Sequence, residues 1–236
     1  MERNRVKNER RKRLVAAVIK IILVVVATAA ITAITKVRTM DEKKKLIEKL
    51  TKAGLEDLVS TLKRDDTELE VLDTPFLGEG KIYKITAFSP TKPIVLYVGI
   101  DREENAYRLN GDIDKFLGFV SRSSLRVDTR HLKVEYAKVY LRVIYSPAKR
   151  LVILEKVEDL KERPSLSEEG KRKFTEFQRK FREIIRAPEC VDKKCLFFVV
   201  RGQDLLELEL LIQEDGKIQV VRETLLEKNL LIPYAL

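Results

Sequence analysis

The sequence predicts an α+β protein in which an N-terminal transmembrane helix precedes an exported domain of helices packed on antiparallel sheet. Three observations predict it. Leu14 to Thr35 is a run of 22 residues, apolar except for Lys20 and three threonines, with neither Pro nor Gly. From Thr67 onward, segments alternating apolar and polar residues recur between turn-forming residues and read as strands. Interspersed with them are stretches whose apolar residues repeat at helical spacing, several preceded by capping residues.

At 1.5 Å per residue the apolar run makes a helix of about 33 Å, enough to cross a hydrocarbon core of about 30 Å. Two other readings compete with a retained anchor. Ala27-Thr28-Ala29 offers a small-x-small cleavage site behind a basic segment, as in a signal peptide, but the apolar run continues six residues past Ala29. A buried helix of a soluble protein is the third reading, and apolar surface on every side argues against it. A lysine at the bilayer centre costs about 2.5–3.5 kcal/mol, but Lys20 lies six residues inside the first boundary and its side chain can snorkel to the headgroups. The retained anchor is the preferred reading.

Met1 to Arg13 holds seven Lys/Arg, with Arg10, Arg11, Lys12 and Arg13 at the membrane flank; the fifteen residues after Thr35 hold six. The positive-inside rule therefore favours a cytoplasmic N-terminus by a single residue. That places the protein in the cell membrane, single-pass, with its C-terminal domain extracytoplasmic. The expected partition is a basic cytoplasmic tail (1–13), the span (14–35), a helical stalk or first helix (36–66), a first α+β part (67–160) and a helix plus antiparallel meander (161–236).

Of 47 Lys/Arg and 37 Asp/Glu, the first 38 residues hold ten and two, leaving 37 against 35 for the rest. The formal charge of +10 thus belongs to the membrane flank, where anionic lipids attract it, and a nucleic-acid partner for the domain loses its simplest support. Cys190 and Cys195 sit five residues apart, and an oxidising compartment would join them; free thiols are the alternative. Their C-x4-C spacing is not the redox C-x-x-C, and with His131 the sole histidine they do not fill a zinc shell.

Thr39-Met40-Asp41-Glu42 reads as a capping box opening a helix whose apolar face runs through Leu46, Ile47, Leu50, Leu58, Val59 and Leu62, kinked or divided at Gly54. Standing upright, it would carry the domain up to about 35 Å from the bilayer. Thr67 to Asp73, Lys81 to Phe88, Ile94 to Ile100 and Ala106 to Asn110 are expected strands. Gly111 to Val120 reads as a short helix with Phe116, Leu117 and Val120 inward. Asp128 is expected to cap a longer one, with Leu132, Tyr136, Val139, Tyr140 and Val143 on its apolar face. Leu151 to Val157 is almost continuously apolar and is expected at the centre of its sheet. Ser165-Leu166-Ser167-Glu168 is a second capping box before a charged helix bearing Phe174, Phe177, Phe181, Ile184 and Ile185. Leu196 to Arg201, Leu205 to Gln213 and Lys217 to Leu226 follow as strands, the last two joined by the hairpin signal Asp215-Gly216. A helix followed by such a meander suggests a cystatin-like or NTF2-like architecture, an analogy that carries no function.

No phosphate-loop, dinucleotide or zinc-protease motif is present. Gly78-Glu79-Gly80 reads as a loop, and His131 lies in the first turn of a helix. Glu207 and Glu209 read as a solvated strand face, as does the basic run Lys171-Arg172-Lys173 on its helix. Catalytic, cofactor and metal sites are therefore all expected to be absent. The expected function is a non-enzymatic scaffold or assembly component that binds other envelope proteins. Membrane-anchored secretion subunits that join a span to an NTF2-like domain have a similar architecture, without a matching motif here. The alternative is an anchored binding domain for a small apolar ligand or lipid in a concave sheet pocket. The apolar C-terminus, Asn229 to Leu236, is expected to strap onto the sheet through Leu230 to Ile232, or else to offer Tyr234 and Leu236 to a partner.

Overall fold

The computed structural model describes residues 40–89, 93–145, 151–230 and 232. The expected span, its flank from Arg10 to Arg13, Lys20, Tyr234 and Leu236 all lie outside these residues. Among the described residues no helix is long and apolar enough to cross a membrane.

The first helical stretch divides where glycine allows it to. α1 (residues 40–52) ends at Gly54, whose φ of +69° suits a residue without a Cβ, and α2 (Glu56–Leu62) returns beside it. Leu46, Leu50, Leu58, Val59 and Leu62 are buried against one face of a sheet. The two helices therefore lie on the domain and do not stand clear of it as a stalk, because an apolar stripe that wide is costly to leave in water. The sheet beneath them is β1 (Thr67–Val71), β2 (Lys81–Ala87), β3 (Ile94–Ile100) and β4 (Ala106–Arg108), antiparallel in that order. Its period-two alternation sends Tyr83, Ile85, Val98 and Ile100 to α1 and α2, and Ile82 and Tyr97 to the opposite face.

That opposite face looks onto the largest core. α3 (Ile113–Arg122), capped by Asp112 on the Lys115 amide, contributes Phe116, Phe119 and Val120. Phe119, not foreseen as inward, lies on Gly99, where a Cβ would stand 2.7 Å from its ring. α4 (Arg130–Ile144) contributes Tyr136, Ala137, Val139, Tyr140, Leu141, Val143 and Ile144. Its cap is Thr129, which accepts from the Leu132 amide, and not Asp128.

The second sheet closes the core from the other side. It comprises β5 (Leu151–Leu154), β6 (Glu189–Val191), β7 (Lys194–Arg201), β8 (Asp204–Ile212) and β9 (Ile218–Glu227), all antiparallel, in the order β5-β7-β8-β9 with β6 also on β7. Phe197, Val199, Leu206, Leu208, Leu210, Ile212 and Ile218 face inward. β5 was expected to be central and is instead, among the described residues, an edge strand paired only with β7. It is apolar on both faces because Leu151 and Ile153 enter the large core while Val152 and Leu154 enter the outer one. The outer face carries α5 (Glu168–Phe181), capped by Ser167 and not Ser165, with Phe174 and Phe181 buried together with Phe198, Val200 and Leu205. Among the described residues the order is helices, sheet, helices, sheet, helix.

Candidate interaction surface

The helices cover much of both sheets, so the exposed features are edges and grooves. β9 is the longest strand, ten residues, and among the described residues no strand pairs with its outer side. Two bulges interrupt it. Leu210 pairs with Val220 and Glu209 with Arg222, so Val221 is an extra residue; Leu206 pairs with Leu225 and Leu205 with Glu227, so Leu226 is another.

Each bulge reverses which face the following side chain takes. Ile218 and Val220 point into the core, but after Val221 the next pairing turns Arg222 outward, onto Glu207 at 3.2 Å and Glu209 at 3.4 Å. Lys194 completes that network at 2.9 Å from Glu209. After Leu226, Glu227 likewise reaches α5 at Lys180, 2.7 Å away. Glu223, on the other face, pairs with Arg201. Val221 and Leu225, each 43% exposed, are left uncovered along the edge. Bulges blunt open-ended strand pairing, so this edge is suited to a partner that docks by side chains over a short stretch.

Beside the far end of β9 a groove of about 360 Å³ runs between α5 and residues 227–230, floored by Phe174, Phe177 and Leu230 and rimmed by Lys173, Lys180 and Lys228. A larger groove of about 710 Å³ lies between α1 and the β3–β4 turn, and its lining is mostly charged, including Lys45, Lys49, Lys52, Lys81, Glu42 and Glu104. Three of its acids, Glu42, Asp101 and Glu104, are engaged. Tyr83 donates to Glu42 at 2.8 Å and Lys81 lies 3.1 Å away. The Tyr83 hydrogen bond, working against burial and aided by Lys81, holds the Glu42 carboxyl below its usual range. Lys49 pairs with Glu104 at 3.0 Å. Burial pushes the Asp101 carboxyl up, but hydrogen bonds from the Asn105 side chain, the Tyr107 hydroxyl and the amides of Asn105 and Glu103 outweigh it and hold the group low.

The remaining residues singled out by sequence fall into place. Cys190 and Cys195 face each other across β6 and β7, disulfide-bonded with Cα atoms 4.0 Å apart and buried in the core. Tyr136 and Tyr140 are core residues whose hydroxyls donate to the carbonyls of Gly216 and Ile218. The Gly78 and Glu79 amides bond to the carbonyls of Ser124 and Ser123, so both are turned into the fold and away from any phosphate. His131 is exposed at the start of α4. The basic face of α5 is laced by pairs such as Lys171–Glu168 and Lys173–Glu169. Glu207 and Glu209, read as a wet strand face, are half-buried in the Arg222 network. Leu230 and Ile232 are buried in the outer core, as the strap reading expects. The β9 bulges and the groove beside α5 were not anticipated; the only available signal was the loss of strict alternation at Val220-Val221. No group of three or more metal-ligating side chains is found among the described residues.

No family model, no curated protein and no solved structure matches the chain.

Proposed function

We propose that the protein is a single-pass, membrane-anchored extracytoplasmic scaffold or assembly component, which binds other envelope proteins through its α+β domain. The span from Leu14 to Thr35 and the basic flank from Arg10 to Arg13 support the anchor. The Cys190–Cys195 bridge is compatible with export, since disulfides persist in oxidising compartments. An NTF2-like or cystatin-like relation of α5 to the β7–β9 meander belongs to the same reading, supported by the packing of Phe174 and Phe181 with Phe198, Val200 and Leu205.

The observation that carries the interaction reading is β9: a long edge strand with its outer side unpaired among the described residues, two exposed apolar residues and an apolar groove beside it. The apolar-ligand alternative has less support among the described residues, because Phe116, Tyr136 and Tyr140 pack into the main core and the groove of about 710 Å³ is lined mostly by charge.

A photo-crosslinking residue placed at Val221 or Leu225 of the full-length protein, in intact envelopes, tests the reading. Discrete protein adducts are expected from both positions and none from Lys52, on the opposite side of the molecule's first sheet. Absence of adducts from both β9 positions would refute the assignment.

A further inference from the structure

Among the described residues, the edges of the two sheets are not alike. β4, β5 and β6 offer three or four residues each, and β9 is bulged twice. β1 offers five, and its register with β2 runs without a shift from the pair Thr67 and Ala87 to the pair Val71 and Tyr83. Two flanking bonds fix which of its backbone groups are engaged. The Leu72 amide donates to the Ile82 carbonyl at 2.8 Å, and the Phe88 amide donates to the Asp66 carbonyl at 2.9 Å. In an antiparallel pair, residues alternate between those bonded to the partner strand and those turned away from it. Asp66, Glu68, Glu70 and Leu72 therefore bond to β2. Thr67, Leu69 and Val71 hold their N–H and C=O groups outward, where no strand receives them among the described residues.

Charge along this edge has one sign. From Asp65 to Asp73 the chain has five acids and no Lys or Arg, in a protein of formal charge +10. Arg64 answers Asp66 at 2.6 Å and Lys84 answers Glu70 at 3.0 Å, whereas no described cation pairs with Asp65, Glu68 or Asp73. Glu68 and Glu70 project, exposed, from one face of β1. Leu69 and Val71 project from the other, Leu69 against the α1–α2 core and Val71 45% exposed. This pattern rejects a second copy of the strand. Antiparallel self-pairing sets Glu68 opposite Glu70, or one of them opposite itself, in every register that pairs Leu69 with any of the three outward residues, and like charges so placed are destabilising. We infer that β1 is an addition site for an extended segment of another protein in which basic and apolar side chains alternate. Its basic side chains meet Glu68 and Glu70, its apolar ones lie beside Leu69 and Val71, and its main chain bonds to Thr67, Leu69 and Val71. The backbone bonds supply affinity and the charges select the partner. This surface is separate from the β9 edge, which belongs to the other sheet.

The test uses the full-length protein in phosphatidylcholine nanodiscs, whose lipid has no net charge, and a dye-labelled synthetic peptide alternating lysine and valine. Fluorescence anisotropy reads binding, and hydrogen exchange of residues 67–71 reads its place. Two changes separate strand addition from attraction between charges. A peptide N-methylated on the residues that face β1 keeps its charge and loses its donors. Val71→Pro removes an outward N–H and no bond to β2, a position at which an edge strand tolerates proline. The expected result is saturable binding with slowed exchange at 67–71, both lost with the methylated peptide and with Val71→Pro. Glu68→Lys should weaken binding about tenfold. No binding to the unaltered protein would overturn the inference. Binding indifferent to N-methylation and to Val71→Pro would reduce the contact to surface charge and overturn strand addition. Equal binding of a glutamate–valine peptide would overturn the basic partner. Self-association abolished by Val71→Pro would make the occupant a second copy and overturn the assignment.

Discussion

The Tyr136 hydroxyl, on α4, donates to the main-chain oxygen of Gly216, eighty residues away in the β8–β9 hairpin. Gly216 holds φ at +84°, and a Cβ there would stand 2.7 Å from Leu125 and 3.3 Å from the Tyr136 oxygen. The two residues are therefore fitted to each other. Tyr136→Phe removes the donor and leaves a carbonyl buried without its partner, at a cost of about 1–3 kcal/mol. Urea denaturation of the purified protein measures this; an unchanged midpoint would contradict it.

The disulfide closes a short hairpin, for which the chain-entropy model gives about 2 kcal/mol. Because both cysteines are buried, reduction should require opening of the β6–β7 hairpin. Protein recovered from its native compartment should show no alkylatable thiol until it is denatured and reduced. Two thiols alkylated without reductant would refute the bridge and remove one support for export.

Asp101 supplies a pH dependence of known sign. Its carboxyl is held below its ordinary value, so it contributes stability that is present above the unfolded value, about pH 3.9, and is lost as pH falls through the lower folded value. Asp101→Asn should destabilise the protein near neutral pH and flatten the fall in melting temperature below about pH 4. Parallel acid dependence in the two proteins would contradict the role given to Asp101.

Leu230 and Ile232 are buried with Phe174, Phe181 and Leu205. At about 1.5–3 kcal/mol for each large side chain, a chain ending at Asn229 should lose roughly 3–6 kcal/mol. Thermal melting checks this, and an unchanged melting temperature would show that these residues do not strap the sheet.

Much of this architecture was legible in the sequence because most of the longer elements keep one period throughout. β8 alternates Leu206, Leu208 and Leu210 with Glu207 and Glu209, and the alternation survives because its two faces differ. Gly54 and Asp215-Gly216 announced their turns through the φ they had to adopt. What could not be read depends on partners distant in sequence. β5 looked central because apolarity reports covered faces and not neighbouring strands. β6 is three residues long, too short for any period. The bulges at Val221 and Leu226 move Arg222 and Glu227 to the outer face, and only the register with β8 reveals them. At the candidate surface, the exposure of Val221 and Leu225 follows from those bulges and was therefore equally hidden.

The domain is proposed to be held at a membrane and to face away from the cytoplasm, and protease accessibility tests this most directly. Added to spheroplasts making the full-length protein, protease should digest the domain from residue 39 onward and leave only a small fragment bearing the N-terminal tail and span. Protection of the whole domain would contradict the orientation, and a mature N-terminus at Ala30 would contradict the anchor.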